Sequence, residues 1–129
     1  MSSHRFATAI NCMDGRVQVP VIEYIKTRYQ VDFVDMITEA GPIFALSQSG
    51  EDNIAESIRK RAELSVQKHR SRLIALVAHD DCAGNPVGKD AQIQQVRLAL
   101  RNVAAWDIGV QVVGLWIDEH GGVEKVGWD

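Results

Sequence analysis

The two cysteines of this chain each follow an apolar run that could form a strand. Cys12 lies in "INCMDGRV" (10–17), and Cys82 lies in "VAHDDCAGNP" (77–86) together with His79. A histidine and a cysteine separated by two residues can bind one metal ion from a single turn of loop, and two thiolates with one imidazole suit tetrahedral zinc. We therefore predict that Cys12, His79 and Cys82 bind Zn²⁺ and leave its fourth position open.

An open zinc position has its own chemistry. Zinc lowers the pKa of a bound water from about 15.7 towards 7, so hydroxide forms near neutral pH and can act as a nucleophile. A disulfide between Cys12 and Cys82 is the alternative use of the two thiols. A reducing compartment disfavours that disulfide, and cysteine beside histidine there more often indicates a metal or catalytic site.

Length and composition predict one domain over residues 1–129, because 129 residues with 46% hydrophobic content can bury one core but hardly two. The net charge of −3, with basic residues scattered along the chain, argues against nucleic acid as a partner. The N-terminus lacks a signal-peptide pattern, and no apolar run approaches the roughly 20 residues of a membrane span. We expect a cytoplasmic protein with no membrane partner.

The elements that must position the cysteines follow from hydrophobic patterning. Four runs are apolar almost throughout, as strands of a parallel sheet covered on both faces require: 6–11, 31–37, 72–78 and 109–117. Helical periodicity predicts helices over 18–29, 50–69 and 90–105, with Pro20 in the first turn of the first and a capping box of Ser49 and Asp52 at the second. A Gly-Gly turn predicts a short antiparallel edge strand at 123–126.

This alternation of strands and helices predicts a three-layer α/β fold, with a central, mostly parallel sheet of about four strands and helices on both faces. Ligands of such sheets gather beyond the carboxyl ends of the strands, near the topological switch point. Neighbouring strands lie about 4.8 Å apart. If the first and third strands are neighbours, Cys12 emerges beside His79 and Cys82.

These residues resemble the signature of the β-class carbonic anhydrases, C-x-D-x-R followed by H-x-x-C, here Cys12, Asp14, Arg16, His79 and Cys82. The segment "TEAGPI" (38–43) is similar to the end of the family's second strand, and "VVGLWIDEHGGVEKV" (112–126) is similar to its closing hairpin. The resemblance implies zinc held by the two cysteines and the histidine. It also implies a lyase activity, the reversible hydration of carbon dioxide to bicarbonate by zinc-bound hydroxide, and a homodimer or larger homo-oligomer.

The resemblance further implies a catalytic dyad. Asp14 would accept a hydrogen bond from the zinc-bound hydroxide, and Arg16 would hold Asp14 ionised and in place. The physical chemistry agrees, since a carboxylate beside a guanidinium keeps a low pKa and can accept this bond without taking the proton. In some family members the aspartate instead occupies the fourth zinc position, so Asp14 as a zinc ligand is the alternative.

The chain departs from the family pattern at two positions near this signature. Gly15 stands where the family usually has serine, and Pro42 stands where the segment A-G-N has asparagine. Relatives on the same scaffold hydrolyse carbon disulfide or carbonyl sulfide, which is the alternative function. Two further alternatives are a non-catalytic zinc-binding domain and a thiol enzyme with Cys12 as nucleophile, although the spacing from Cys12 to Arg16 is too short for the C-x5-R loop of cysteine phosphatases.

Overall fold

The computed structural model describes residues 4–50 and 52–128, which form five strands and four helices. In chain order they are β1 (Phe6–Cys12), α1 (Gly15–Tyr29), β2 (Phe33–Glu39), α2 (Pro42–Ser47), α3 (Asn53–His69), β3 (Leu73–His79), α4 (Lys89–Ala104), β4 (Gln111–Ile117) and β5 (Val123–Val126). Within this part of the chain, no helix has the length and apolar character needed to cross a membrane.

The sheet has the order β2-β1-β3-β4-β5, and only the β4–β5 pair is antiparallel. The predicted fold class is therefore confirmed, with four parallel strands and a short antiparallel edge strand. Across the sheet, β2 lies on one side of β1, whereas β3 and then β4 lie on its other side. The topological switch point consequently lies between β1 and β3, where ligands of open α/β sheets bind.

The reversal of direction also divides the helices between the two faces, because right-handed crossovers in opposite directions lie on opposite sides of a sheet. On one face, α1 packs Val17, Val21 and Ile25 against apolar side chains of β1, β3 and β4. The other face carries α2, α3 and α4, whose buried side chains include Ile58 and Leu100. Both faces of β3 are therefore covered, and all of its seven residues are buried.

Two predicted helix starts are wrong in detail. Helix α1 begins at Gly15 rather than at residue 18, and Asp14 caps it by accepting a hydrogen bond from the Arg16 backbone N–H. Pro20 therefore lies inside the helix, where its fixed φ is compatible with helical geometry but its missing N–H costs one backbone bond. Helix α3 is capped by Asp52 alone, whose carboxylate accepts from the N–H groups of residues 54 and 55, and not by a box with Ser49.

Helix α2 was absent from the sequence prediction. It has six residues, too few to show helical periodicity, and its start is set by backbone geometry. Gly41 precedes it with φ of 63°, a left-handed conformation that glycine adopts without steric cost, and Pro42 occupies a first-turn position where its missing N–H does no harm. The segment "TEAGPI" therefore ends β2 and immediately starts a helix beside the switch point.

Candidate metal centre

Cys12, His79 and Cys82 lie together at the carboxyl ends of β1 and β3, as the sequence predicts. Cys12 and His79 are the last residues of their strands, and Cys82 follows three residues later in the loop before α4. All three are buried, with 3–5% of each residue exposed. Their candidate ligand atoms all lie within 4.8 Å of one another, so the group could hold a metal ion.

The two sulfur atoms have the separation that a shared ion requires. Cys12 Sγ and Cys82 Sγ lie 3.9 Å apart, and both thiols are free. Two sulfurs that each lie about 2.3 Å from one tetrahedral zinc ion are about 3.8 Å apart. The strands themselves create this space, since the β1–β3 ladder ends at the pair Ile10–Leu76, so Cys12 and His79 lie beyond it.

His79 has one ring nitrogen that is buried without a partner among the described residues. Its Nδ1 lies 2.7 Å from the backbone carbonyl of Asp80, which can only accept, so Nδ1 carries the hydrogen. In a neutral imidazole the lone pair is then on Nε2, which is buried and has no hydrogen-bond partner within the described part of the chain. A buried polar atom without a partner is costly, and a metal ion would satisfy it. The Asp80 carbonyl, rather than its carboxylate, is thus the group that orients the ring.

The space enclosed by these atoms is small. A cavity of about 10 Å³ is lined by the three candidate ligands and by Gly41, Pro42, Ile43, Val77, Ala78, Asn85 and Gln92. Such a volume is about that of one water molecule or one ion. Its donor set of two sulfurs and one imidazole nitrogen is the set that zinc binds, so the residues present fit this metal.

Protonation of the thiols opposes metal binding. Burial, and secondarily the neighbouring Cys12, raise the pKa of the Cys82 thiol above its ordinary value. Without a metal this thiol is therefore protonated at neutral pH, and it donates to Cys12 Sγ. Because zinc binds the thiolate, metal binding must release protons and must strengthen as pH rises.

Asp14 and Arg16 form a bidentate pair at the same edge of the sheet. Arg16 Nη2 lies 2.6 Å from Asp14 Oδ2, and Arg16 Nε lies 3.0 Å from Asp14 Oδ1. These side-chain bonds, with the bond from the Arg16 N–H, hold the pKa of Asp14 far below its usual value. Asp14 is consequently ionised at neutral pH. Both of its oxygens are committed to Arg16, and it is not part of the Cys12–His79–Cys82 group.

Asp81 connects this dyad to the loop between His79 and Cys82. Its backbone carbonyl accepts from Arg16 Nη2 at 3.1 Å, and its exposed carboxylate lies 3.4 Å from Arg16 Nη1. Asp81 has φ of 54°, a left-handed conformation uncommon for a residue with a side chain. The two aspartates therefore serve different contacts, Asp80 with His79 and Asp81 with Arg16.

The two departures from the family pattern occupy different environments. A Cβ on Gly15 would meet nothing within 4 Å, so this first residue of α1 has space for a larger side chain. Pro42 is buried, and it lines the cavity beside Gly41 and Ile43. The proline therefore gives one wall of the candidate metal centre an apolar surface without a backbone N–H.

A glycine contact holds the Cys82 loop against the end of β2. A Cβ built on Gly84 would lie 2.5 Å from the carbonyl carbon of Ala40, and a Cβ on Gly41 would lie 2.7 Å from the carbonyl carbon of Gly84. Real Cβ atoms do not approach backbone atoms so closely, so the two segments touch only because both residues are glycine.

Gly84→Ala is accordingly expected to destabilise the protein. The added methyl group must push two backbone segments apart, and overpacking of this kind costs about 1–3 kcal/mol of the free energy of unfolding. Urea denaturation of Gly84→Ala and of Gly88→Ala measures the difference, since a Cβ on Gly88 would meet nothing within 4 Å. Equal midpoints for the two variants would contradict the close contact at Gly84.

Sequence reasoning did not single out Gln92, whose side chain hydrogen-bonds to the backbone of His79. This side chain is almost fully buried on α4, and its Nε2 donates to the His79 carbonyl at 2.9 Å and to the Val87 carbonyl at 3.1 Å. The amide thus joins the end of β3 to the loop that follows Cys82. A buried polar residue among the apolar positions of an amphipathic helix is the one sequence signal that could have identified it.

Comparisons with known proteins agree with this geometry. Fold and site place the chain among open α/β proteins with a group of two thiols and one imidazole at the switch point. A family model described as "Putative carbonic anhydrase" matches residues 2–127, so the chain belongs to this carbonic anhydrase family. No curated protein sequence matches the chain significantly.

Solved structures of β-carbonic anhydrases share the fold. Isoform I of the protozoan Trichomonas vaginalis aligns with a TM-score of 0.63 and 15% identity, over 98% of this chain and 85% of that chain. CafA of the fungus Aspergillus fumigatus aligns with a TM-score of 0.55 and 18% identity, over 99% of this chain and 78% of that chain. A tetrameric enzyme of the ascomycete Sordaria macrospora aligns with a TM-score of 0.53 and 15% identity, over 98% of this chain and 82% of that chain. At such identities the likeness is one of fold.

Proposed function

We propose that this protein is a zinc-dependent carbonic anhydrase that hydrates carbon dioxide reversibly to bicarbonate, with zinc held by Cys12, His79 and Cys82. The observation that carries the proposal is the buried Nε2 of His79, which has no partner in the described chain, on a residue grouped with two thiols 3.9 Å apart. Membership of the carbonic anhydrase family supports the choice of reaction.

Zinc would supply hydroxide near neutral pH, because three protein ligands leave one position for a water whose pKa falls to about 7. Asp14 would be the acceptor that orients this nucleophile. Arg16 keeps Asp14 ionised by a bidentate pair, so the carboxylate accepts a hydrogen bond without removing the proton. The capping bond from the Arg16 N–H fixes the carboxylate at the start of α1.

The apolar wall favours a small, uncharged, linear substrate. Pro42, Ile43, Val77 and Ala78 line the ion-sized cavity, so the proposed metal would lie in largely apolar surroundings, which favour an uncharged molecule over a hydrated ion. The same wall also suits carbon disulfide and carbonyl sulfide, so hydrolysis of these molecules is the second candidate function. Both reactions would use the same three ligands and the same dyad.

The proposal is tested by stopped-flow hydration of carbon dioxide near pH 8.5, on protein whose zinc content is measured in the same sample. We expect about one zinc per chain and turnover that a metal chelator abolishes. Carbonyl sulfide and carbon disulfide are assayed in parallel. Bound zinc with turnover of a sulfur substrate alone would replace the first function by the second, and bound zinc with no turnover would indicate a non-catalytic zinc-binding domain.

We also propose that the protein associates as a homodimer or larger homo-oligomer. The Sordaria macrospora neighbours are tetrameric, and the edge strand β2 of this chain exposes Phe33 while helix α2 exposes Phe44. Large exposed aromatic side chains are more common at interfaces than elsewhere on a surface. A mass corresponding to a single chain, measured by light scattering at micromolar concentration, would contradict this proposal.

A further inference from the structure

The side-chain amide of Gln18 hydrogen-bonds to the turn between the predicted ligand Cys12 and the dyad residue Asp14. Gln18 Nε2 donates to the Cys12 carbonyl at 2.7 Å and to the Asp14 carbonyl at 2.9 Å. One amide group therefore spans the two residues that the proposed function needs at a fixed separation.

The backbone holds this turn on one side only, where Cys12 pairs with Glu39 of β2. Cys12 lies beyond the last pair of the β1–β3 ladder, and Met13, between the two functional residues, is 66% exposed. Within residues 4–50 and 52–128, the backbone bonds of this turn outside the regular elements run from Met13 N to the Glu39 carbonyl and from Val17 N to the Asp14 carbonyl. Side-chain donors thus replace the strand pairing that is lost where β1 and β3 separate.

The position of Gln18 in α1 explains why its amide reaches the turn. It lies four residues after Asp14, one helical turn along, and side chains of a helix point back towards its N-terminus. Its Oε1 accepts from Asn11 Nδ2 at 3.2 Å, and the same Nδ2 lies 3.3 Å from the Cys12 carbonyl. Asn11 is fully buried in β1, so the amide of Gln18 is anchored to the sheet.

We infer that Gln18 is a positioning residue of the candidate metal centre, which fixes Asp14 relative to Cys12 through their backbone carbonyls. This inference rests on the proposed function, because it assigns Gln18 to the placement of the dyad. We expect metal binding to depend on Gln18 less than turnover does, since Gln18 contacts the backbone carbonyl of Cys12 and not its sulfur. Its removal should therefore reduce turnover more than metal affinity.

The test compares Gln18→Met with Gln67→Met. Methionine is similar to glutamine in length but has no amide, and Gln67 is an exposed residue near the end of α3, away from the candidate metal centre. We expect Gln18→Met to retain about one zinc per chain and to lose about 10- to 100-fold in kcat, as small displacements of catalytic groups do. KM should change less than about twofold, and Gln67→Met should match the wild type.

A second measurement does not depend on activity. Hydrogen exchange at the backbone amides of Arg16 and Val17 should be faster in Gln18→Met than in the wild type, because the turn loses its amide contacts. Unchanged exchange would overturn the inference even if the wild type hydrates no carbon dioxide. Should the wild type bind zinc without turnover, the proposed function fails, while the exchange measurement still tests whether Gln18 holds the turn between Cys12 and Asp14.

Two kinetic outcomes would also overturn the inference. Turnover equal to that of Gln67→Met would mean that the turn holds its geometry without the amide. A loss of zinc that parallels the loss of turnover would mean that Gln18 supports Cys12 as a ligand and does not place the dyad. If Gln18→Met fails to fold, Gln18→Ala replaces it in the same measurements, since alanine is the best helix former.

Discussion

Cys82→Ser is expected to lose most of its zinc and, with it, all measurable turnover. The hydroxyl of serine remains protonated at neutral pH and is a harder ligand than a thiolate, so only Cys12 and His79 would still bind the ion. Removing only a residue that hydrogen-bonds to a zinc ligand costs about 10- to 100-fold in metal affinity. Removing the ligand itself should cost more. Zinc content after dialysis, measured by atomic absorption, checks this result.

The fold should survive this substitution, so that metal loss is not a consequence of unfolding. The Asn85 backbone N–H donates to the Cys82 carbonyl at 3.2 Å, and this substitution leaves that bond in place. The serine hydroxyl can donate to the Cys12 sulfur, as the Cys82 thiol does, which limits the cost of burying it. Circular dichroism provides the check on folding, and Cys12→Ser serves as the matched variant. Full zinc occupancy in Cys82→Ser beside an empty site in Cys12→Ser would refute the role of Cys82.

Asp14→Ala is expected to retain zinc but to lose about 100-fold or more in kcat, within the range that a positioned acceptor or base supplies. Asp14 lies outside the group of candidate ligands, so metal content should be unchanged. Both oxygens of Asp14 pair with Arg16, and loss of the carboxylate leaves the guanidinium without its principal partner. Stopped-flow turnover with zinc content measured in the same sample tests both expectations.

Asp52→Ala is the matched control for this variant. Asp14 and Asp52 both cap a helix, α1 and α3 respectively, so each alanine variant should lose about 1 kcal/mol of the free energy of unfolding through the lost cap. Only Asp14→Ala should lose turnover. Equal turnover in the two variants would exclude the dyad role, and zinc loss in Asp14→Ala would indicate that Asp14 is a ligand.

The Asp14–Arg16 pair was foreseeable from sequence, whereas its environment was not. The resemblance to the β-class carbonic anhydrase signature implies a pairing of Asp14 with Arg16, and the structure shows this bidentate pair. The contact of Arg16 with the carbonyl of Asp81 joins residues 65 positions apart. It depends on a left-handed backbone conformation that no residue pattern specifies.

The sequence by itself determined the alternation of strands and helices, the parallel sheet and the three candidate ligands. Burial on both faces forces continuous apolar strands, and the carboxyl end of such a strand is where polar residues become tolerable. Cys12 and His79 are the last residues of β1 and β3 for this reason. The short edge strand was likewise foreseeable, since a Gly-Gly turn after an apolar strand favours a hairpin.

Only the tertiary structure decided how these residues meet. The folded chain separates β1 from β3 after Ile10 and Leu76. It also brings Gly41 against Gly84 and places the amide of Gln18 on the Cys12 carbonyl. The helix α2 is too short for a periodic signal, and its start depends on the conformation of Gly41. Local patterns encode which face of an element is buried, whereas the distances between ligand atoms follow from packing against other elements.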